Sequence, residues 1–217
     1  MVKSPVVKEG YIYIGSLVIL TLIVALTVHP YWAIIPGVLA AFLTFFFRNP
    51  VRSIPEGCDL ILSPADGMVM GVTELYEEQF LNTTAKKVTI FLSVFDVHVN
   101  RSPIAGKIKF QQYTCGRFRP AYKESVGCEN ERHSIGLEND SIRIVVTQIA
   151  GLLARRIVSW VTLGDSLKSG ERYGLIKFGS CTEVIVPESV EILVKKGDRV
   201  KGGISVIGRM PNEKDHT

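Results

Sequence analysis

Three segments of the chain carry side chains suited to proton transfer or nucleophilic attack. They are Asp66 in the stretch Ser63-Pro64-Ala65-Asp66-Gly67, His98 at the end of an apolar run, and the Gly179-Ser180 bond between two apolar runs. A histidine can take the proton of a serine hydroxyl, and a carboxylate can orient that histidine or stabilise its cation. Both S-P-x-D-G and Gly-Ser are also ordinary turn compositions. Each segment alone therefore leaves a catalytic and a structural interpretation open.

Two uncharged runs, residues 11–28 and 33–47, occupy the N-terminal part of the chain. A bilayer core of about 30 Å needs roughly 20 apolar residues in a helix, and the second run reaches this length only with residues 30–32 included. Lysine or arginine flanks the pair on both outer sides but is absent between the runs. This asymmetry predicts a transmembrane helical hairpin over residues 1–48, with both ends in the cytoplasm.

Two other interpretations of this apolar part are weaker. A signal peptide would end in a small-residue A-x-A cleavage site, whereas here a second apolar run follows the first at once. A soluble buried hairpin would show a polar face, and neither run has one. The sequence therefore favours a membrane anchor followed by one domain over residues 49–217.

Residues 49–217 alternate short apolar runs with Gly, Pro, Asn and Asp, which is typical of many short strands. We predict strands near residues 60–62, 67–72, 88–94, 108–113, 142–149, 157–161, 174–178, 183–186, 190–194 and 204–208. Residues 148–158 could instead form a short helix. The fold class expected is β-rich, a mainly antiparallel β sandwich or barrel-like domain with few short helices, after the N-terminal transmembrane hairpin.

One phrase, G-D-x-(apolar)-x-x-G, occurs twice, at residues 164–170 and 197–203. Gly permits the positive φ of such turns and Asp bonds its own backbone, so both copies predict hairpin turns. The same phrase occurs in biotinyl and lipoyl carrier domains, which are small β sandwiches. It suggests an alternative function as a non-enzymatic membrane adaptor, although Lys195 and Lys196 lack the setting of a carrier lysine.

Charge and cysteine content exclude several functions. The net charge is +4 and the basic residues are scattered, so no nucleic-acid partner is expected. The four cysteines form no CxxC pair and show no metal-ligand spacing with the histidines, which predicts free thiols and no metal site. Free thiols fit a reducing compartment such as the cytoplasm.

In combination, three motifs resemble the phosphatidylserine decarboxylase proenzyme family. They are the S-P-A-D-G turn, the strand F-L-S-x-x-D-x-H that ends in His98, and the segment Y-G-x-I-x-F-G-S-x-x-(E/D)-V that contains Ser180. They follow the family's order, and the stretches 116–118 and 129–132 also match. The resemblance covers most of residues 49–210 and is closest to the short, membrane-anchored form.

This resemblance implies self-cleavage between Gly179 and Ser180 into a large subunit (1–179) and a small subunit (180–217). His98 and Asp66 would assist the attack of Ser180, which would become a covalent pyruvoyl cofactor, with no metal and no pyridoxal phosphate. The implied reaction is decarboxylation of a serine phospholipid, phosphatidylserine or archaetidylserine, at the cell membrane. The implied partners are that membrane lipid and the two subunits of one chain, and a homo-oligomer is left open.

One position departs from the family pattern. Longer members carry a second histidine three residues after the first, and here that position is Arg101. Either His98 serves both processing and decarboxylation, or another residue such as His133 contributes, although the polar surroundings of His133 predict a solvated loop histidine. A member that has lost activity is a further alternative. Four arginines could contact the phosphodiester, none preferred over the others: Arg117, Arg119, Arg155 and Arg156.

Overall fold

A computed structural model describes residues 4–116, 130–151, 156–177 and 180–210. The chain divides into two compact units, Met1–Val51 and Arg52–Thr217. The division falls within the polar stretch that follows the second apolar run, and domain boundaries commonly fall in such polar segments.

The first unit is a helical hairpin. Helix α1 spans Lys8–Thr27, a 3-10 helix spans Pro30–Ala33, and α2 spans Ile34–Phe46. The break between the helices follows from Pro30, whose fixed φ suits the first turn of a helix, and from His29, whose Nδ1 accepts a hydrogen bond from Tyr31 N at 3.2 Å.

The two ends of this hairpin are tied together. Val7 N donates to Phe47 O at 3.0 Å, and Asn49 N donates to Pro5 O at 2.7 Å. Gly10 allows the close approach, because a Cβ there would lie 2.7 Å from Phe47 Cβ. Helix α1, with 20 residues, is long and apolar enough to cross a membrane, whereas α2 has 13 residues. The predicted helical hairpin is confirmed, and one of its helices has spanning length, whereas the crossing of a membrane by both helices stays a prediction.

The second unit is built of fourteen strands among the described residues: β1 Leu60–Leu62, β2 Gly67–Glu77, β3 Thr83–Leu92, β4 Val99–Arg101, β5 Gly106–Thr114, β6 Arg132–Glu138, β7 Arg143–Ala150, β8 Ile157–Ser159, β9 Ser166–Leu167, β10 Arg172–Ile176, β11 Ser180–Pro187, β12 Glu191–Ile192, β13 Arg199–Val200 and β14 Val206–Arg209. The predicted β-rich class is confirmed. The alternative of a helix over residues 148–158 is wrong in the described part, because β7 continues to Ala150 and β8 begins at Ile157.

Eight strands form one curled antiparallel sheet in the order β13-β2-β3-β11-β7-β6-β5-β9. Strand β11 lies between β3 and β7 and is bonded to both. Two three-stranded sheets, β4-β10-β8 and β1-β14-β12, complete the unit. The main apolar core lies on one face of the large sheet, where alternate residues of β3, β11, β7 and β6 are fully or almost fully buried: Val88, Ile90, Leu92, Val184, Val186, Ile144, Val146, Ile135 and Leu137.

Candidate active site

Ser180 is the first residue of the central strand β11. It pairs with Leu92 on one side and with Ala150 on the other. The residue is fully buried, and among the described residues its Oγ has no hydrogen-bond partner. Most buried hydroxyls in proteins are hydrogen-bonded, so an unpartnered one is a candidate for chemistry. Gly179, on the other side of the predicted cleavage bond, lies outside the described residues.

His98 is also fully buried and directly precedes β4. Its Nδ1 lies 3.0 Å from the backbone oxygen of Asp96. A carbonyl oxygen only accepts, so Nδ1 carries the proton and Nε2 of the neutral ring carries a lone pair. In this tautomer, His98 can act as a base through Nε2.

A small apolar cluster brings Ser180 and His98 to the same end of the domain. The cluster consists of Ala150, Ile157 and Ile176. Ala150 is the sheet partner of Ser180, and Ile176 N donates to His98 O at 3.2 Å. The two residues predicted to react with each other therefore adjoin one cluster.

Asp66 has different neighbours. Arg52 Nη1 and Nη2 each donate to one of its carboxylate oxygens at 2.7 Å, and Gly202 N donates to Oδ1 at 2.8 Å. Asp66 directly precedes β2, which is separated from β11 by β3, so two strand spacings, about 10 Å, lie between the two strands. The hydrogen bonds of Asp66 are thus with Arg52 and Gly202, and a role in the chemistry of Ser180 stays a prediction.

Arg101 occupies the position at which longer family members carry a second histidine. It is buried, and its Nη1 donates to Gly170 O at 3.0 Å. Burial, together with the positive charges of Arg52 and Arg172, lowers the pKa of Arg101 to about 10, against the opposing effect of Asp66. The guanidinium still holds its proton at neutral pH, so this position carries a cation and not a base.

A row of buried polar side chains crosses the large sheet beside Ser180. Thr182, Gln148 and His133 are cross-strand neighbours on β11, β7 and β6, and Ser180 shares the face of Thr182 because strand side chains alternate. Asn100, from β4, joins the row. We call Thr182, Asn100, Gln148 and His133 the polar row.

The hydrogen bonds of the polar row run in one direction. His133 Nδ1 donates to Gln148 Oε1 at 3.1 Å, and Gln148 Nε2 donates to Asn100 Oδ1 at 2.8 Å. Asn100 Nδ2 then donates to Thr182 Oγ1 at 3.1 Å. At the other end, Gln111 Nε2 donates to His133 Nε2 at 2.9 Å. Each hydrogen bond fixes the orientation of the next side chain in the row. The bond from Asn100 to Thr182 joins strand β4 to β11 two residues from Ser180.

The predicted solvated loop histidine at position 133 is wrong. His133 lies in β6 and is 4% exposed. The sequence misled because a polar stretch on a strand looks like a loop when its partners, Gln148 and Gln111, are far along the chain. Burial lowers the pKa of His133, an effect that the hydrogen bond to Gln148 partly opposes. His133 is therefore neutral at physiological pH.

The lowered pKa of His133 predicts acid sensitivity. The unfolded chain binds a proton below about pH 6.5, whereas folded His133 resists protonation, so the free energy of unfolding falls as the pH drops below that value. Above it, this contribution is constant. Chemical unfolding in detergent at several pH values measures the slope. His133→Gln removes the titrating group and should flatten the curve, and an equal slope in both proteins would contradict the assignment.

Cys181 directly follows Ser180 but is poorly suited to reaction. It is 3% exposed, and burial, with a smaller effect from Glu183, raises the pKa of its thiol to about 12. The thiol therefore stays protonated, and a protonated thiol is a poor nucleophile. The described cysteines, Cys58, Cys115 and Cys181, are thiols that form no disulfide, as predicted, and Cys128 lies outside the described residues.

The arginines considered for phosphodiester contact receive little structural support. Arg117, Arg119 and Arg155 lie outside the described residues. Arg156 is exposed, and its backbone oxygen accepts a hydrogen bond from Lys177 N at 3.3 Å.

The fold and the site define a β-rich domain that follows an apolar helix of membrane-spanning length. The domain buries a histidine and a serine next to one apolar cluster, and the serine hydroxyl has no hydrogen-bond partner among the described residues. A family model described as phosphatidylserine decarboxylase matches residues 39–208. The chain belongs to that family.

Curated relatives agree over nearly the whole chain. A phosphatidylserine decarboxylase proenzyme of Carboxydothermus hydrogenoformans is 49% identical over 96% of this chain and 99% of its own length. The proteins of the same name from Symbiobacterium thermophilum and Syntrophus aciditrophicus are 49% and 42% identical, over 96% and 94% of this chain and 98% and 97% of their own lengths. These relatives indicate a decarboxylase made as a proenzyme.

Proposed function

We propose that this chain cleaves itself before Ser180 and becomes a pyruvoyl-dependent decarboxylase of a serine phospholipid. The observation that carries the proposal is the buried Ser180 Oγ, which has no hydrogen-bond partner among the described residues. A hydroxyl held in this way is available to attack the preceding peptide carbonyl. Its buried position also suits a group that must be kept from bulk water.

In the first step, Ser180 Oγ attacks the carbonyl carbon of Gly179. The C–N bond breaks, an ester to Oγ forms, and the nitrogen of Ser180 becomes a free amine. His98 Nε2 takes the hydroxyl proton, because its Nδ1 is held by Asp96 O, and passes this proton to the departing nitrogen. Gly179 has no Cβ, so its carbonyl is open to attack.

In the second step, Ser180 loses its Cα proton and the bond from Cβ to Oγ breaks. Residues 1–179 then end in a carboxylate at Gly179, and residue 180 becomes dehydroalanine. Its imine tautomer takes up water and releases ammonia, which leaves a pyruvoyl group at the start of the small subunit. Residues 1–179 and 180–217 are thus the two subunits.

The pyruvoyl ketone supplies an electrophile for the substrate amine and an electron sink for loss of carbon dioxide. The chain's own contribution is positional: β11 holds residue 180 between β3 and β7, and the polar row fixes its face. His98 is our candidate for proton transfer in turnover as well. Asp66 would act through its ion pair with Arg52, which lies near the start of β2.

Membrane attachment places the enzyme beside its substrate. We propose that residues 1–48 anchor the chain and that residues 49–217 carry the decarboxylase on the cytoplasmic side, as the flanking lysines and arginines indicate. The relatives' name specifies phosphatidylserine. Because the reaction concerns only the headgroup, ether-linked archaetidylserine remains within the proposal, and assays with both lipids distinguish them.

Intact-mass measurement of the denatured protein tests the proposal. We expect two fragments, of which the smaller begins at residue 180 and is lighter than its encoded mass by one ammonia. This mass difference arises because the ketone of the pyruvoyl group replaces the amine of Ser180. A single chain that stays uncut during long incubation would exclude the pyruvoyl mechanism and favour a non-enzymatic adaptor.

A further inference from the structure

Phe95 forms the exposed tip of the turn that leads into His98. The turn is fixed by two bonds: Asp96 N donates to Ser93 O and Ser93 N donates to Asp96 Oδ2, both at 2.9 Å. The Phe95 residue is 64% exposed, yet three residues later His98 is fully buried. One exposed phenylalanine is ordinary on a protein surface, so its meaning depends on its surroundings.

A basic turn lies beside Phe95. We define it as residues 195–201, which contain four basic residues, all exposed, and one acidic residue: Lys195, Lys196, Arg199, Lys201 and Asp198. The carboxylate of Asp198 is used within the turn, where its Oδ2 accepts from Lys195 N at 2.9 Å. The turn therefore presents a net positive charge to solvent.

Arg199 connects the basic turn to the Phe95 turn. Its Nη2 lies 3.4 Å from Asp96 Oδ1. In the sheet, Arg199 pairs with Met68, whose side chain is another exposed apolar group, 39% exposed. Arg199 thus contacts the Phe95 turn and is also the sheet partner of Met68, so the two exposed apolar side chains both adjoin the basic turn.

We propose that Phe95, Met68 and the basic turn form a docking surface for an anionic phospholipid bilayer. We call this set the docking surface. The inference rests on the proposed function in one respect: the bilayer that binds there is also the source of the substrate.

Charge complementarity favours a bilayer as the occupant. Lysines and arginines near an anionic leaflet are attracted to it, and an aromatic side chain is stable at the boundary between headgroups and acyl chains. Apolar tips surrounded by long basic side chains suit a soft interface. Protein–protein interfaces are depleted in lysine, whereas this surface carries three exposed lysines.

The separation of Phe95 and His98 along the chain also fits a bilayer as the occupant. The three residues from Phe95 to His98 can span at most about 10 Å, and the headgroup region of one leaflet is roughly 5–8 Å thick. With Phe95 at the acyl boundary, His98 would therefore lie close to the depth of a lipid headgroup. Docking would bring the headgroup to the catalytic end of the domain without lifting the lipid from the membrane.

Lipid-quenched fluorescence tests this proposal on the full chain. The native tryptophans are first removed as Trp32→Phe and Trp160→Phe, and Phe95→Trp then places a reporter tryptophan on the docking surface. In bilayers with anionic lipids brominated in their acyl chains, we expect the reporter to show a blue-shifted emission and to lose roughly half of its intensity. Tyr76→Trp is the matched control, because Tyr76 is 56% exposed and lies roughly 26 Å along β2 from Met68.

Charge variants test the basic turn separately. Lys195→Gln with Lys196→Gln should weaken the quenching of the reporter tryptophan and raise the KM for lipid in bilayers by roughly fivefold or more. Lys107→Gln with Lys109→Gln removes the same charge from exposed positions on β5 and should have no such effect.

Two results would overturn the proposal. One is a reporter tryptophan that stays exposed to water and unquenched. The other is a reporter that is shielded from water but not quenched by brominated lipids, which would indicate a protein partner or a second copy. Intact mass is recorded on the same samples. A quenched reporter in an uncut chain would support docking while contradicting the pyruvoyl mechanism, so the two failures are distinguishable.

Discussion

A chain with Ser180→Ala is expected to remain one piece of 217 residues and to lose decarboxylase activity by roughly 10⁴-fold or more. The physical reason is that alanine offers neither the oxygen that attacks Gly179 nor the leaving group that creates the pyruvoyl. Ser180 Oγ has no hydrogen-bond partner among the described residues, so its removal breaks no bond seen there. Denaturing mass spectrometry and a carbon dioxide release assay measure the two outcomes.

Ser134→Ala is the matched control for this experiment. Ser134 lies on β6 and its Oγ is 2.8 Å from Thr147 Oγ1. Its loss leaves buried Thr147 without that bond, which should cost about 1 kcal/mol in the free energy of unfolding. Cleavage should still proceed. An active or cleaved Ser180→Ala protein would show that another residue supplies the electrophile.

Gly174→Ala is expected to destabilise the domain by about 2–3 kcal/mol and to slow self-cleavage. A Cβ at Gly174 would lie 2.6 Å from Val158 O and 2.9 Å from Gln148 Nε2. The first contact is with backbone, which cannot give way easily. The second contact displaces the Gln148 amide, so the hydrogen bond from Gln148 to Asn100 in the middle of the polar row is broken. Chemical unfolding gives the stability, and a time course of intact mass gives the cleavage rate.

Gly71→Ala is the control for this substitution. Gly71 also lies in a strand, and a Cβ there meets no atom within 4 Å, so the change should be neutral or slightly stabilising. If the polar row positions Ser180, Gly174→Ala should slow cleavage even in conditions where the protein is fully folded. Normal cleavage by folded Gly174→Ala protein would reduce the row to a purely structural element.

The sequence predicted the parts of this fold that depend on local pattern. Two uncharged runs separated by His29-Pro30 predicted the helical hairpin, because the length and the hydropathy of each run are enough to indicate an apolar helix. Short apolar runs predicted the β-rich class and most strands. Strand β6 was missed, because Arg132, His133 and Ser134 make its start polar, and polarity alone indicates a loop.

The candidate site was predictable only where a motif marks it. Ser180 and His98 belong to short segments that can be recognised along the chain. The polar row joins residues far apart in sequence, such as Asn100 and Thr182, and no local pattern marks such a pairing. The same holds for Arg52, which bonds Asp66 from the stretch that leaves the hairpin. Long-range polar partners are set by tertiary packing, and a single sequence does not display them.

The position of Ser180 at the start of a central strand has a consequence for the proposed product. A cut before Ser180 leaves β11 bonded to β3 and β7, while β14 stays between β1 and β12, and β13 stays beside β2. The polypeptide that begins at residue 180 thus contributes strands to two of the three sheets, and these strands are hydrogen-bonded to strands of the large subunit. We expect the two polypeptides to co-purify through dilution and high salt, to exchange with no other copy, and to part only when the whole domain unfolds.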